Sequence, residues 1–288
     1  MSRLSLYDSV AQQTASVVIR RYSTSFGMAS RLLDAPVRRH VENIYALVRV
    51  ADEIVDGVAT EAGIDTVGAA RALNEFERET HEAIDSGFSA NLVIHAFALT
   101  ARATGFGREL TTPFFESMRM DLSETDHDQA SFDRYVYGSA EVVGLMCLRA
   151  FLQGITLTDA ELERFDRGAC ALGAAFQKVN FLRDLAADFD TLGRSYFPGI
   201  NVDSFGEADK QRLVADIDDD LRTSAAVIPE LPAGSRRAVV LAHDLFAELN
   251  RRLRQTPAQD LRTVRVRVPN PVKLRIATAA AIGRKPRT

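Results

Sequence analysis

Cysteine, histidine and tryptophan are scarce in this 288-residue sequence, which has two, five and none of them, respectively. No CxxC spacing occurs, so a zinc site is not expected. Cys147 and Cys170 lie in apolar stretches with a helical pattern and are interpreted as packing residues of a protein from a reducing compartment. The histidines do not cluster, and the one Glu-x-x-His spacing, Glu124 to His127, falls in a polar stretch. The ligand set of a carboxylate-bridged di-iron bundle is therefore missing.

Long hydrophobic runs are absent as well. The N-terminal stretch has no apolar core of the kind found in secretion signals, and no segment approaches the length of uncharged apolar sequence that a membrane span needs. The formal net charge of −4 argues against nucleic acid as a partner. We therefore expect a cytoplasmic protein, with peripheral contact at the inner face of the membrane as an open alternative. The oligomeric state is left open.

Several common catalytic motifs are missing too. The sequence contains no Gly-x-Ser-x-Gly element, no glycine-rich phosphate loop and no dinucleotide fingerprint after a strand. Neither cysteine has an acidic or histidine partner in the sequence that would activate a thiol. If the chain binds phosphate, metal ions and arginine side chains must do so.

Proline is sparse in the first two thirds of the chain, where only Pro113 lies between Pro36 and Pro198. Apolar residues recur there at intervals of three and four, and strand-like alternation is confined to 264–268, a candidate extended segment before the last helix. The pattern predicts an all-α protein, a bundle of long helices around a deep interior, in one domain spanning 1–288. The predicted helices are 5–20, 35–58, 65–85, 89–103, 107–122, 131–154, 159–191, 207–228, 234–256 and 271–282.

Two acidic motifs each carry two aspartates four residues apart. Residues 49–56 read RVADEIVD and residues 180–188 read NFLRDLAAD. On a helix, positions four apart share a face, so each motif directs two carboxylates the same way. Apolar residues flank both pairs, and ionised carboxylates in such a setting are costly unless a cation lies between them. The motifs predict a site for a hard divalent cation shared with a polyphosphate substrate. The four aspartates are Asp52, Asp56, Asp184 and Asp188.

Other acidic pairs have a simpler explanation. Glu75 with Glu79, and the run from Asp216 to Asp220, lack the apolar flanks and the preceding arginine of the two motifs. We interpret them as solvated helix faces, and the polar stretch 123–128 as a loop.

Four segments resemble signatures of the squalene and phytoene synthase family. The two aspartate motifs match its two acidic signatures, and the second is followed by GRSYFP at 193–198. YSTSF at 22–26 is similar to the family's N-terminal Ser-x-Ser-Phe element, and YVYGSAEVVG at 135–144 resembles its central helix. The resemblance runs from about residue 15 to residue 276, with the motifs in the family's order.

The resemblance implies a class I isoprenoid synthase fold and the head-to-head condensation of two prenyl diphosphates. It implies Mg²⁺ as the cofactor, with Mn²⁺ as an alternative, held by Asp52, Asp56, Asn180, Asp184 and Asp188. Arg49 and Arg183 would pair with diphosphate oxygens, and Tyr135 would assist proton removal. The implied substrate-binding residues are Tyr22, Ser23, Ser25, Phe26, Tyr45, Ser139, Val143, Gln177, Asn180 and a C-terminal arginine, Arg262 or Arg265, of which we choose Arg265.

Small residues follow Tyr135 on the central helix, on a face formed by Gly138, Ser139, Ala140, Val143 and Gly144. They would let a long prenyl chain lie close to the helix, and tight packing between helices is the alternative explanation.

Two positions depart from the family pattern. Phe246 stands where relatives often have tyrosine, and Tyr22 where many have histidine. Neither change removes a metal ligand, but both bear on how a reaction intermediate is steered.

Three functions follow from the resemblance. The first is a phytoene synthase that joins two geranylgeranyl diphosphates through a cyclopropyl diphosphate, with no need for NADPH. The second is a C30 enzyme that makes squalene, presqualene diphosphate or dehydrosqualene from farnesyl diphosphate. The third, a catalytically silent assembly or lipid-binding factor, is disfavoured because all four aspartates are present. The small Ser30, one turn beyond Phe26, leaves room for the longer chain.

Overall fold

The computed structural model describes residues 2–192, 196–200 and 204–286, with the backbone alone for 186–192. No β-strand occurs in these ranges, so the predicted all-α class is confirmed. The α-helices are α1 (Arg3–Tyr22), α2 (Ser25–Ser30), α3 (Ala35–Val55), α4 (Val58–Glu61), α5 (Thr66–Ser86), α6 (Leu92–Thr104), α7 (Arg108–Ser123), α8 (Gln129–Val136), α9 (Val142–Phe151), α10 (Asp159–Leu192), α11 (Glu207–Val227), α12 (Ala233–Gln255) and α13 (Asn270–Ala281).

The observed helices differ from the sequence prediction in several places. The short α2 was not predicted, because six residues are too few to show a helical period. The predicted helix over 131–154 is interrupted by a π-helical turn, Tyr137–Glu141, between α8 and α9. The helix predicted to reach residue 58 ends at Val55, since Gly57 has a φ of 111°. The segment 264–268 is non-helical, as expected.

Side-chain and glycine caps fix the ends of the helices that support the site. Asp65 and Asn91 accept hydrogen bonds from backbone N–H groups in the first turns of α5 and α6. Gly87 and Gly105 end the same two helices in the left-handed region, with φ of 82° and 76°. These signals are local, which is why both helices were predicted within three residues of their observed starts and ends.

Helix α10 belongs to one large hydrophobic cluster and packs against a second. One is formed by α8, α10, α11 and α12 together with the segment around Val266, and the other by α3, α5, α6, α7 and α9. A third cluster joins the end of α9, the start of α10, α12 and α13. Where the three clusters meet, the helices leave an elongated cavity. No helix in the described part of the chain is long and apolar enough to cross a membrane.

A buried lysine holds the segment that follows α12. Lys210 is 1% exposed, and its Nζ donates to the carbonyl oxygens of Arg254 and Thr256 at 3.1 and 2.6 Å. Glu207 balances its charge, with Oε1 at 2.6 Å from Nζ, and Oε2 accepts from the backbone N–H of Ala258 at 3.2 Å. The start of the chain leading to 264–268 is thereby attached to α11.

The acidic run on α11 only partly fits the solvated face that we predicted. Asp216 and Asp219 are exposed, but Asp220 is partly buried. Lys178 of α10 lies 2.7 Å from Asp216 and 2.8 Å from Asp220, so the run ties α11 to α10. The prediction was wrong for Asp220 because the cationic partner lies on another helix.

Glycine lets the π-helical turn approach helices on both of its sides. A Cβ at Gly138 would overlap the carbonyl group of Pro113 and the hydroxyl of Ser117 on α7. A Cβ at Gly173 of α10 would lie 2.6 Å from the carbonyl oxygen of Ala140. Tight packing, one of the two explanations weighed above for the small residues, therefore holds for Gly138.

We expect Gly138→Ala to lower the free energy of unfolding by about 1–3 kcal/mol, since backbone of α7 must move to admit the methyl group. Gly27→Ala is the matched control, because a Cβ there meets its nearest atom at an ordinary 3.6 Å. Urea denaturation followed by circular dichroism measures both. Equal stability of the two variants would contradict the close packing at Gly138.

Candidate active site

The elongated cavity has a volume of about 300 Å³ and lies between α2, α3, α9, α10 and α12. Along α10 its wall runs from Phe165 to Asn180, which at 1.5 Å per residue is about 22 Å. Most of the lining is apolar. Of the predicted substrate-binding residues, the wall contains Phe26, Tyr45, Ser139, Val143, Gln177 and Asn180, and it also contains Ser30, Ala140 and Gly144.

The first aspartate of each motif lies one helical turn beyond a lining residue. On α3 the last lining residue of the helix is Val48, and Asp52 is four residues further along. On α10 it is Asn180, and Asp184 is four residues further along, so each aspartate lies on the lining face of its helix. The two motifs meet at Tyr135, because the charge of Asp56 helps to raise the pKa of this tyrosine and the tyrosine ring centroid lies 5.8 Å from that of Phe181.

Arg49 offsets the negative charge of the first motif. Its Nη1 donates to Asp52 at 2.7 Å, and its Nη2 donates to Glu53. The guanidinium carbon lies 4.6 Å from the ring centroid of Tyr22, a cation–π contact. Tyr22 and Arg49, each predicted separately as a site residue, are thus in contact. Glu53 was not predicted as a site residue, although it stands within the motif itself.

The pKa of Asp52 is raised to about 7. Burial is the main cause, and the neighbouring charge of Asp56 adds to it, while Arg49 acts in the opposite direction. Asp56 caps α3, and its N–H donates to the carbonyl of Asp52 at 2.8 Å. Two carboxylates held this close favour an additional cation between or beside them.

Two arginines converge on the second motif. Arg183 binds both carboxylate oxygens of Asp184, through Nε at 3.0 Å and through Nη2. Arg265, from the extended segment after α12, places Nε 2.7 Å from the same carboxylate. Arg265, chosen from the sequence over Arg262, thus lies beside the second motif. The side chain of Asp188 and residues 193–195 of the GRSYFP motif lie outside the described residues.

The N-terminal Ser-x-Ser-Phe element begins α2 at the cavity wall. Ser23 Oγ accepts from the N–H of Phe26 at 3.0 Å and is hydrogen-bonded to the hydroxyl of Tyr45. Phe26 packs against Phe176 and Phe246, with ring centroids 5.7 and 5.8 Å away. Phe246, where relatives often carry tyrosine, stacks on Phe176 with ring centroids 3.9 Å apart and lines a second cavity on its other side.

A second, cationic cavity of about 450 Å³ adjoins Asp184. Its wall includes the predicted residues Ser25, Arg183 and Arg265, and four further polar residues that were not predicted: Thr24, Arg267, Asn270 and Lys273. Among the side chains that the structure describes, four cationic ones and no acidic one line it. Such a wall binds anions, and the planar arginines suit two-point contact with phosphate. The absence of acidic residues after Asp260 is the sequence signal that could have found it.

Tyr135 lies in the core beside the cavity and not in its described lining. Its hydroxyl donates to Asp121 of α7, with both carboxylate oxygens at 2.9 Å. Tyr196 also donates to Asp121, at 3.2 Å. Burial and the charge of Asp121 hold the pKa of Tyr135 well above its usual range. Sequence reasoning missed Asp121, because a single aspartate in α7 looks like any surface acid.

Cys147 and Cys170 pack against the cluster formed by α3, α5, α6, α7 and α9, as expected of packing residues. Both are free and only partly buried, and Cys147 lines the apolar cavity. Ser139 lines it too, and its Oγ is shielded from solvent without a hydrogen-bond partner among the described residues. The hydroxyl and the thiol are therefore positioned to contact whatever fills the cavity.

The donor set fits a hard cation. Carboxylates of Asp52 and Asp56 come from α3, and the carboxylate of Asp184 and the amide of Asn180 come from α10, and all are oxygen ligands. The described side chains contain no cluster of three His, Cys, Asp or Glu residues close enough to hold one ion. The fit therefore rests on the type of donor and on the raised pKa of Asp52.

Metal-free protein should become less stable as the pH rises, in part through Asp52. Its folded pKa of about 7 exceeds its unfolded value of 3.8, so the folded state loses stability between pH 4 and 7. With 32% of the side chain exposed, solvent screening limits the penalty to roughly 1–2 kcal/mol. In EDTA, the free energy of unfolding of Asp52→Asn should therefore exceed that of the wild type by this amount at pH 8 and by nearly nothing at pH 4.

Urea denaturation at the two pH values measures this difference. The exposed Asp219→Asn is the control and should change stability equally at both. A pH-independent effect of Asp52→Asn would show that its carboxyl titrates normally.

Comparison with known proteins agrees with this geometry. Residues 19–271 match the squalene/phytoene synthase family model. The chain is 28% identical over 280 residues to the 15-cis-phytoene synthase of Pantoea ananas, covering 90% of this chain and 87% of that protein. It is 30% identical over 197 residues to the 15-cis-phytoene synthase of a Paracoccus strain, covering 67% and 62%.

Solved structures share the fold. A dehydrosqualene synthase in complex with ligand superposes with a TM-score of 0.73 at 20% identity, covering 95% of this chain and 96% of that one. A squalene synthase from Alicyclobacillus acidocaldarius also gives 0.73 at 20% identity, covering 87% and 95%. The isoprenoid synthase fold expected from the resemblance is confirmed. The chain belongs to the squalene/phytoene synthase family and is a prenyltransferase.

Proposed function

We propose that this prenyltransferase joins two geranylgeranyl diphosphates head to head, through a cyclopropyl diphosphate, to form phytoene and release diphosphate. The observation that carries the proposal is the apolar cavity with aspartate motifs from α3 and α10 beyond one end of its wall. The named relatives that match most of the chain are phytoene synthases, which supports this product. The enzyme would accordingly act in carotenoid biosynthesis.

The arginines would bind and orient the diphosphates. Arg183 and Arg265 already point at one carboxylate and line the cationic cavity, so a diphosphate entering there would exchange a carboxylate partner for phosphate oxygens. Arg49 would do the same beside Asp52. Mg²⁺, held by Asp52, Asp56, Asn180, Asp184 and Asp188, would supply the positive charge that makes diphosphate a good leaving group.

The apolar walls would protect the carbocation left behind. Phe26 and Phe176 line the cavity, with the ring of Phe246 packed against both, and aromatic rings neither hydrate nor quench a cation. Tyr135 would assist proton removal, and Asp121 would orient its hydroxyl, because the phenolic proton is already directed at that carboxylate.

Chain length is the finer part of the proposal. The wall along α10 is about 22 Å long, and small residues, Ser30 and Gly144 among them, line it. Both features favour the C20 substrate over farnesyl diphosphate. The C30 enzyme, whose solved relatives share the fold at 20% identity, is the second candidate.

The experiment that tests the function is direct. Purified enzyme is incubated with Mg²⁺ and either geranylgeranyl or farnesyl diphosphate, and the hydrocarbon is identified by mass spectrometry. We expect phytoene from the C20 substrate without NADPH, loss of product in EDTA, and partial recovery with Mn²⁺. A C30 product in excess would establish the second candidate, and no product from either substrate would favour a silent relative.

Asp184→Asn should lower turnover by several orders of magnitude while the circular dichroism spectrum and melting temperature change little. Asp184 contributes a carboxylate to the site and lies at the end of a cavity wall, so its loss removes a ligand and leaves the core packing unchanged. The exposed Asp219→Asn, with the same change of charge, should retain full activity. Near-normal turnover of Asp184→Asn at limiting Mg²⁺ would exclude the aspartate as a ligand.

Arg183→Lys should lose most of the activity that Arg183→Ala loses. An ammonium cannot make the parallel two-point contact that the guanidinium makes with Asp184 and would make with diphosphate. Comparing kcat/KM for the lysine and alanine variants separates a two-point contact with diphosphate from simple neutralisation of the charge of Asp184. If lysine restores activity, Arg183 acts only by neutralising its neighbour.

Ser30→Phe should penalise geranylgeranyl diphosphate by roughly 1–3 kcal/mol relative to farnesyl diphosphate, because a larger side chain at this wall overpacks the longer chain. The ratio of kcat/KM for the two substrates measures this. Ser30→Ala, which keeps the cavity open, should leave the ratio unchanged. An unchanged ratio for Ser30→Phe would remove Ser30 from the prenyl channel.

A further inference from the structure

The last part of the chain differs from the rest in charge. After Asp260 the sequence has no acidic residue and eight basic ones, although the whole chain has a formal net charge of −4. The first 260 residues must therefore carry −12. The basic residues are Arg262, Arg265, Arg267, Lys273, Arg275, Arg284, Lys285 and Arg287.

Six of these cations fall into two groups by position. Arg265, Arg267 and Lys273 line the cationic cavity beside the aspartate motif. Arg275, Arg284 and Lys285 lie outside it, are exposed, and form no ion pair within the ranges that the structure describes. The second group is therefore available to an external anionic partner.

The helix α13 also exposes large apolar side chains. Leu274 is 67% exposed and Ile282, just after the helix, is 77% exposed. Eight residues separate them, so they lie within about 80° of each other around the helix axis, and exposed Arg275 lies on the same side. Leucine and isoleucine next to unpaired cations are the composition of a helix that lies in a lipid interface.

The opposite face of α13 holds it against the cavity end. Ile276 and Ala280 are buried in the third hydrophobic cluster with Val227, Ile228 and Val239. The last three residues also line the apolar cavity. The helix is thus fixed on the protein by one face, with the other face left to solvent.

We propose that α13 and the residues that follow it, Asn270–Pro286, form a docking surface for a bilayer that contains anionic phospholipid. Cations would bind the headgroups, while Leu274 and Ile282 would enter the boundary between headgroups and acyl chains. A nucleic acid or an acidic protein would match the charge but would leave both apolar side chains unexplained. Docking there would bring the far end of the cavity to the membrane, whichever prenyl substrate the enzyme uses.

The absence of tryptophan in the chain allows a site-specific probe. In Leu274→Trp and Ile282→Trp the introduced indole is the sole tryptophan, and its emission should shift to the blue when vesicles of phosphatidylcholine and phosphatidylglycerol at 7:3 are added. Leu4→Trp on α1, at a residue exposed to a comparable 59%, should show no shift. No shift at either C-terminal position, or an equal shift at residue 4, would overturn the proposal.

Charge dependence is measured by vesicle sedimentation. Each cation near an anionic surface contributes about a fivefold increase in binding, so Arg275→Gln/Arg284→Gln/Lys285→Gln should weaken partitioning roughly 100-fold. The control Arg71→Gln/Arg167→Gln/Arg237→Gln changes the net charge equally at exposed residues elsewhere and should bind as wild type does. Binding should also fall in 0.5 M NaCl and on pure phosphatidylcholine.

Each alternative outcome has a distinct reading. If both triple variants weaken binding equally, net charge alone governs binding, and the proposal of a local docking surface is wrong. If pure phosphatidylcholine is bound as tightly as the mixture, anionic lipid has no role. Tighter binding to a DNA duplex than to vesicles would also contradict the proposal. Activity on detergent-dispersed substrate should be unchanged in both triple variants, since none of the six residues lines either cavity.

Discussion

Placing aspartates at the end of an apolar cavity is the constraint on which the rest of the structure depends. Burial makes their ionised forms costly, as the raised pKa of Asp52 shows. Arginines supply the compensation, Arg49 on α3 and Arg183 with Arg265 at α10. Arg265 comes from an extended segment, so its position depends on the hydrogen bonds by which Lys210 attaches the start of that segment to α11. A polar site thus requires order well beyond its own residues.

A second constraint applies to the π-helical turn and the start of α9. This segment must pack closely against helices on two sides and still leave space for the cavity on a third. Glycines at residues 138 and 173 solve the first part by letting backbones meet. Ser139 and Ala140 solve the second, since their short side chains line the open side. Gly144 serves both purposes, because it lines the cavity and a Cβ there would lie 2.7 Å from the carbonyl oxygen of Ala169. The pattern of small residues therefore has both of the explanations that were weighed for it.

Much of this architecture could be predicted from local sequence patterns, whereas contacts between residues distant in the sequence could not. The helical class, most helix bounds, both aspartate motifs and the cavity position of Asn180 followed from spacing or resemblance, because each is set by residues near one another in sequence. Asp121, Lys210 and Lys178 could not be foreseen, since their partners lie 14 to 75, 44 to 46, and 38 to 42 residues away. The metal and the roles of individual site residues stay predictions. The π-helical turn also escaped prediction, because its residues have ordinary helix-compatible identities.

That turn determines which side of α9 faces the cavity. A π-helical turn holds about one residue more than an α-helical turn, so it takes up an extra residue without rotating the helix that follows. If 137–141 were α-helical with the same number of residues, α9 would be rotated by about 100°, and Val143, Gly144 and Cys147 would leave the cavity wall together. Losing one residue inside the turn would give an ordinary α-helical turn and leave α9 facing the same way. Losing one residue at the start of α9, beyond the turn, would instead shift every lining residue that follows.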